Sequence, residues 1–184
     1  MQMSEMVCPW WLCYSFDNPL RRLFHDPERL LRPYVKTGMT VVDIGCGMGY
    51  FTIGMARLTG QEGKVIAVDL QQRMLDALSR RSRKARVAER IVLHRCRKDE
   101  LGVQEPVDFA LAFWMAHEVP DKSRFFREIL SFLKPRGRLL VAEPKVHVTK
   151  TSLERTVAAC RDAGFLVLEE PRVALSRAVL MGRG

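Results

Sequence analysis

Three glycines, Gly45, Gly47 and Gly49, stand at alternate positions directly after an apolar run that ends in Val41-Val42-Asp43-Ile44. Glycine tolerates the tight turn between a strand and a helix and lets a ligand approach the backbone closely. Twenty residues past Gly49 a second apolar run ends in Asp69, whose carboxylate can accept hydrogen bonds from both hydroxyls of an adenosine ribose. The spacing separates two chemistries. A dinucleotide fingerprint needs its third glycine at position 50, where Tyr50 stands, and a buried acid at Asp43 would repel a pyrophosphate. The same acid attracts a sulfonium and an amino-acid ammonium. The turn therefore points to a positively charged nucleoside ligand and away from hydride transfer by a nicotinamide dinucleotide. A second group able to do chemistry is His117-Glu118, just past the fourth apolar run, where His117 could act as a general base. The competing reading is that His117 caps or packs the following turn while Glu118 faces solvent.

These residues need a sheet to position them. Apolar runs without two-residue alternation predict buried parallel strands at 40–44, 65–68, 91–94, 107–112 and 138–142. Helical periodicity lies between them. Phe51, Gly54, Met55 and Leu58 share one face, as do Met74, Leu75 and Leu78, and then Phe125, Phe126, Ile129, Leu130 and Leu133. Lys134-Pro135-Arg136-Gly137 ends the last of these helices and turns into a strand. A helix over 151–163, stopped by Gly164, precedes two final strands near 165–169 and 175–181. Strand and helix alternating in this way predict right-handed crossovers and a doubly wound α/β domain, a Rossmann-like sheet of seven strands with helices on both faces. Its ligands are expected beyond the carboxyl ends of the strands.

Residues 39 to about 144 resemble the class I S-adenosylmethionine-dependent methyltransferases, in particular the type-11 branch with the ubiquinone and menaquinone C-methyltransferases. VVDIGCGMGYFT resembles the first motif of that family and VIAVDLQQRML the second; VDFALAFWMAHEVPD and FFREILSFLKPRGRLLVAEP resemble the fourth-strand motif and the helix-turn-strand after it. The resemblance implies S-adenosyl-L-methionine as cofactor and in-line methyl transfer. It implies that Asp43, Gly45, Cys46 and Gly47 line the methionine end, that Asp69 holds the ribose with Leu70 on the adenine, and that Phe113 lines the pocket. It also implies that the last strand is antiparallel and inserted beside the fifth. The third motif departs from the pattern. Many members place an acid after the third strand, whereas here the aligned position is Arg97, leaving backbone contacts near Arg97 and Lys98.

The domain reading is an aromatic-rich helical lead-in over 1–38 and a cofactor-binding domain over 39–184. In the lead-in, Asp26-Pro27-Glu28 predicts a helix start and Pro33 its end. Trp10, Trp11 and Tyr14 are candidate substrate-binding residues, as a lid over the acceptor or as a patch packed on the sheet edge or a second subunit. Five cysteines in no recognisable framework, with no basic region before the first apolar residues, predict reduced thiols, no metal site and a cytoplasmic location. No run approaches the roughly 18 apolar residues of a membrane span. The net charge of +9 gathers between Arg80 and Lys98, where Glu89 is the one acid. A phosphate-binding surface there would suit an RNA or protein methyltransferase, but no aromatic is interleaved for base stacking, and a solvated helix face is the simpler reading. A small-molecule acceptor is expected, against the alternative of a cofactor-binding protein without catalysis. Oligomeric state, a dimer included, stays open.

Overall fold

The computed structural model describes residues 24–184. Among these residues, helix α1 (Pro27–Leu31) begins as the local chemistry requires: Asp26 caps it by accepting from the Arg29 amide at 2.9 Å, and Pro27 occupies the first turn. The chain then alternates as β1 (Thr40–Ile44), α2 (Tyr50–Thr59), β2 (Lys64–Asp69), α3 (Gln72–Lys84), β3 (Ile91–Arg95), β4 (Val107–Phe113), α4 (Lys122–Phe132), β5 (Leu133–Pro144), α5 (Lys150–Asp162), β6 (Phe165–Glu169) and β7 (Ser176–Arg183). Short 3-10 turns stand at Ala88–Arg90 and Ala116–Glu118.

The strands form one sheet in the order β3-β2-β1-β4-β5-β7-β6. The first five are parallel, and β7 runs antiparallel between β5 and β6. Seven strands, doubly wound, with the last inserted and reversed, is the architecture expected from the sequence. Chain order reverses between β1 and β4, which opens a crevice at their carboxyl ends.

Alternation along β1 assigns its residues to two cores. Val41 packs with Leu31, Phe51, Met55 and Phe109 on the face covered by α1 and α2, while Val42 and Ile44 pack with Phe125, Phe126 and Ile129 on the face covered by α4. Both faces are buried, so the strand carries no polar alternation, and Asp43 is an acid enclosed on the α2 side. One boundary differs from expectation. β5 starts at Leu133, immediately after α4, and residues 134–137 are an irregularity inside it. Val107 pairs with Leu133 but Phe109 pairs with Arg138, so two residues of β4 span five of β5. The Pro and Gly at 135 and 137 break the ladder without ending the strand.

Candidate active site

The glycine turn is closed on one side and open on the other. Gly49 caps α2 in the left-handed conformation, φ +83°, and a Cβ there would overlap Leu78 on α3. Gly47 also has positive φ, +52°, but a Cβ built on it meets no atom within 4 Å. Its bare backbone faces empty space beside the strand ends, which is the cradle that a closely approaching ligand needs. Met115, from the segment after β4, packs where a Gly45 side chain would stand, 2.9 Å from an ideal Cβ.

Two buried carboxylates flank this cradle. Asp43 accepts from the Thr52 hydroxyl on α2. Asp69 ends β2 and accepts from the Gly47 amide at 2.9 Å and the Gln71 amide at 2.8 Å, which ties the glycine turn to the second strand. Burial raises the Asp69 carboxyl above its ordinary value, and the Gln71, Gly47 and Leu70 amides oppose that rise. Leu70, half-buried, follows directly. The Cys96 amide donates to the Asp69 carbonyl at 3.1 Å, so residues 96–98 after β3 lie alongside the same strand end. Arg97 is exposed and pairs with Glu100 at 3.7 Å, while Asp99 faces Arg124 at 3.5 Å. The nearby acid is therefore engaged with α4, and what 97–98 offer beside Asp69 is mainly backbone. Acids against a positively charged ligand, an open glycine backbone and a carboxylate at the end of β2 fit S-adenosylmethionine.

Cys46 is buried between these acids. Burial first, then the charges of Asp43 and Asp69, push its thiol well above the usual range. Burial lifts Cys96 to about 11 and Cys160 to about 12. None of the three is a nucleophile near neutral pH. Alkylation with iodoacetamide at about pH 8 should leave their peptides unmodified in the folded protein and label them in denaturant; rapid native labelling of Cys46 would contradict this. Among the described residues no group of three or more His, Cys, Asp or Glu side chains could hold a metal ion.

The other half of the crevice is aromatic. Phe113, at the end of β4, is buried against Phe51 with ring centroids 4.3 Å apart, and against His25 and Trp114 at 5.2 and 5.4 Å. Trp114 has φ +59°, an unusual backbone for a bulky side chain, and is held there by its amide on the Ala142 carbonyl and its indole N–H on Ser176 Oγ at 2.8 Å. His25 Nε2 donates to the Ala174 carbonyl at 2.6 Å, and the Tyr50 hydroxyl donates to the His25 carbonyl at 2.8 Å. His25, Trp114, Met115 and Thr52 were not singled out in the sequence, and Tyr50 was noted only as a departure from the dinucleotide fingerprint. The sharpest signal was Tyr50 itself, which occupies the position of a missing glycine.

His117 lies on the 3-10 turn after β4. Its Nδ1 is 2.7 Å from Oε2 of Glu143, a carboxylate with 0% exposure near the end of β5. The hydrogen bond that His117 donates to Glu143 raises the imidazole above its ordinary value, against the opposing effect of burial. The turn is secured by Lys122, whose ammonium donates to the Ala116 and Val119 carbonyls. His117 thus packs as a turn residue and also presents Nε2 on the side away from Glu143. Trp10, Trp11 and Tyr14 lie outside the described residues.

The sequence pattern of a family described as a methyltransferase domain matches residues 35–167. The chain is 31% identical over 110 residues to a demethylmenaquinone methyltransferase of Lactobacillus johnsonii, covering 59% of this chain and 45% of that one. It is 32% identical over 166 residues to a ubiquinone biosynthesis O-methyltransferase of Xanthomonas euvesicatoria, covering 86% and 62%. It spans less than two thirds of the length of these relatives. In fold it is similar to a SAM-dependent methyltransferase of Aquifex aeolicus, with TM-score 0.86 and 23% identity over 97% of this chain and 100% of that one. A SAM-dependent O-methyltransferase of Thermotoga maritima superposes with TM-score 0.68 and 20% identity, covering 86% and 64%. This chain belongs to the class I S-adenosylmethionine-dependent methyltransferases.

Proposed function

We propose that this protein transfers a methyl group from S-adenosylmethionine to a small-molecule acceptor bound between Trp114 and His117. The observation that carries the reading is the open backbone at Gly47 beside the buried Asp69 carboxylate. In this reading Asp43, Gly45, Cys46 and Gly47 surround the methionine end of the cofactor. Asp69 takes the ribose hydroxyls, Leu70 and the backbone of Arg97 and Lys98 meet the adenine, and Phe113 backs the pocket.

Bound S-adenosylmethionine supplies a methyl carbon on a positively charged sulfur, which keeps the bonding electrons as a neutral thioether when the acceptor's lone pair attacks. The protein's own part is largely orientation. His117 Nε2 takes the acceptor's proton and passes it to solvent. Trp114 and Tyr50 supply a flat apolar wall, which suits a ring-bearing acceptor of the kind named for the curated relatives. Of the lead-in, Leu31 and Val35 pack in the core against the sheet, and His25 meets Phe113 and Trp114 at the edge of the acceptor pocket. The basic segment is a solvated face in this reading. It lies on α3 and β3, separated from β4 by β2 and β1, and Arg90 is spent on the Ala56 carbonyl and Glu89. No helix among the described residues is long and apolar enough to cross a membrane, which accords with a cytoplasmic enzyme.

Titration calorimetry with S-adenosylmethionine and S-adenosylhomocysteine should give saturable one-site binding, and ring-hydroxylated acceptors should then be methylated. Absence of binding at millimolar cofactor would overturn the assignment. Binding without turnover across a broad acceptor panel would leave the cofactor and remove the enzyme.

A further inference from the structure

Glu143 sits in a strand whose other residues nearby, Leu139, Leu140, Val141 and Ala142, are apolar and buried, and it shows no surface to solvent. An isolated carboxylate in such a place is costly unless a charge-assisted hydrogen bond answers it. One oxygen has such a bond, to His117 Nδ1 at 2.7 Å; the other, Oε1, is buried with no hydrogen-bond partner. A strand position that tolerates this cost is explained by what the carboxylate does to its neighbour, since any apolar residue would pack there more cheaply.

We propose that Glu143 is a positioning residue that holds His117 with Nδ1 protonated and Nε2 free, so that the imidazole meets the acceptor as a base of fixed orientation. The proposal rests on the reading of His117 as the base. The pairing itself can be tested without turnover.

The geometry dictates the tautomer. A carboxylate only accepts, so neutral His117 keeps its proton on Nδ1 and leaves the Nε2 lone pair on the opposite edge of the ring. The same charge stabilises the imidazolium formed when Nε2 takes a proton, without itself leaving the pair. Every charged group around the ring belongs to a different part of the fold. Glu118, 3.9 Å from Nε2, is on the same turn; Glu143 comes from β5; Lys122 comes from the start of α4 and opposes the two acids. Cys160 on α5 lies next to Lys122 rather than the ring, and burial keeps its thiol neutral. The two acids and the hydrogen bond outweigh Lys122 and burial, and the imidazole is raised. The sign follows. The ion pair stabilises the fold fully below the ordinary histidine value of about 6.5 and its contribution is lost as pH rises through the higher folded value. Base catalysis runs the other way, appearing above the folded value.

The experiment is a titration of the four histidines in 15N-labelled protein, with His117→Gln to assign the resonance, in the wild type and in Glu143→Gln. Gln keeps the shape and an acceptor for Nδ1 but removes the charge. The wild-type His117 should titrate above about 6.5 and show the Nδ1–H tautomer when neutral, and the Gln variant should titrate at least about one unit lower. The rising limb of kcat/KM against pH should shift down with it. At the plateau kcat should fall about 10- to 100-fold while cofactor Kd and acceptor KM stay within about twofold. An unshifted titration, or the Nε2–H tautomer in the wild type, would overturn the role of Glu143. A shifted titration with an unshifted rate profile would instead remove His117 as the base and leave its pairing with Glu143 intact.

Discussion

Asp69→Ala should weaken S-adenosylmethionine binding about 100-fold, measured by calorimetry at neutral pH. Two charge-assisted hydrogen bonds to ribose hydroxyls, each worth about 1.5 kcal/mol net, account for about 3 kcal/mol, and tenfold in affinity corresponds to about 1.4 kcal/mol. The side chain has a second duty. It accepts from the amides of Gly47 and Gln71, and its removal leaves both donors without that partner. Loss of a part-buried hydrogen bond costs at most about 1–3 kcal/mol, so the Ala variant should also melt earlier without ligand. Asp69→Asn separates the two effects. Its amide oxygen can keep one backbone donor, so the fold should lose less, while the missing charge should still cost roughly tenfold in affinity. Unchanged affinity in both variants would remove Asp69 from the cofactor site.

Gly49→Ala should be the most damaging single methyl in the glycine turn, and Gly47→Ala the most selective. At Gly49 the added Cβ overlaps Leu78, a fully buried leucine of α3, and the backbone stays in the left-handed region. Overpacking costs about 1–3 kcal/mol and the left-handed backbone about 1–2 more. A loss near 3 kcal/mol in a chain of this size lowers Tm by roughly 6–12 °C. At Gly47 nothing obstructs the Cβ, so only the backbone term applies and Tm should fall by a few degrees. The new methyl occupies the space that the cofactor needs, and affinity should drop more than tenfold, by roughly 1.4 kcal/mol or more. Calorimetry and thermal melts on the two variants give the comparison. A Gly47→Ala protein that binds cofactor like the wild type would show that the open side of the turn is not the cradle.

The two sites of the molecule differ in how they are encoded. The cofactor half is built from neighbours in sequence. Asp43, the three glycines and the start of α2 lie within a dozen residues, and Asp69 ends the next strand by the same logic of an apolar run followed by an acid. Local rules suffice there because one strand, one turn and one crossover place all of these groups. The N-cap at Asp26 was legible for the same reason. The rise of β5 straight out of α4 was not, because Pro135 and Gly137 break a strand and end a helix with identical signals, and only pairing with Val107 and Phe109 decides between them.

The acceptor half depends on contacts across the sheet. Glu143 lies one residue past the strand read at 138–142, and its meaning comes from His117, 26 residues away on a neighbouring strand end. His25 binds the Ala174 carbonyl 149 positions later, and Trp114 finds Ser176 at the start of the inserted β7, on the far side of β5. Periodicity reports which face a residue occupies but is silent on its partner there. By itself the sequence determined the alternating fold, the glycine turn and the carboxylates that suit a sulfonium nucleoside. Only the tertiary structure decided which glycine is packed and which is open, and which carboxylate orients the histidine. Strand order brings those groups within van der Waals and hydrogen-bond distance, and distances of that kind are set by the register of the whole sheet.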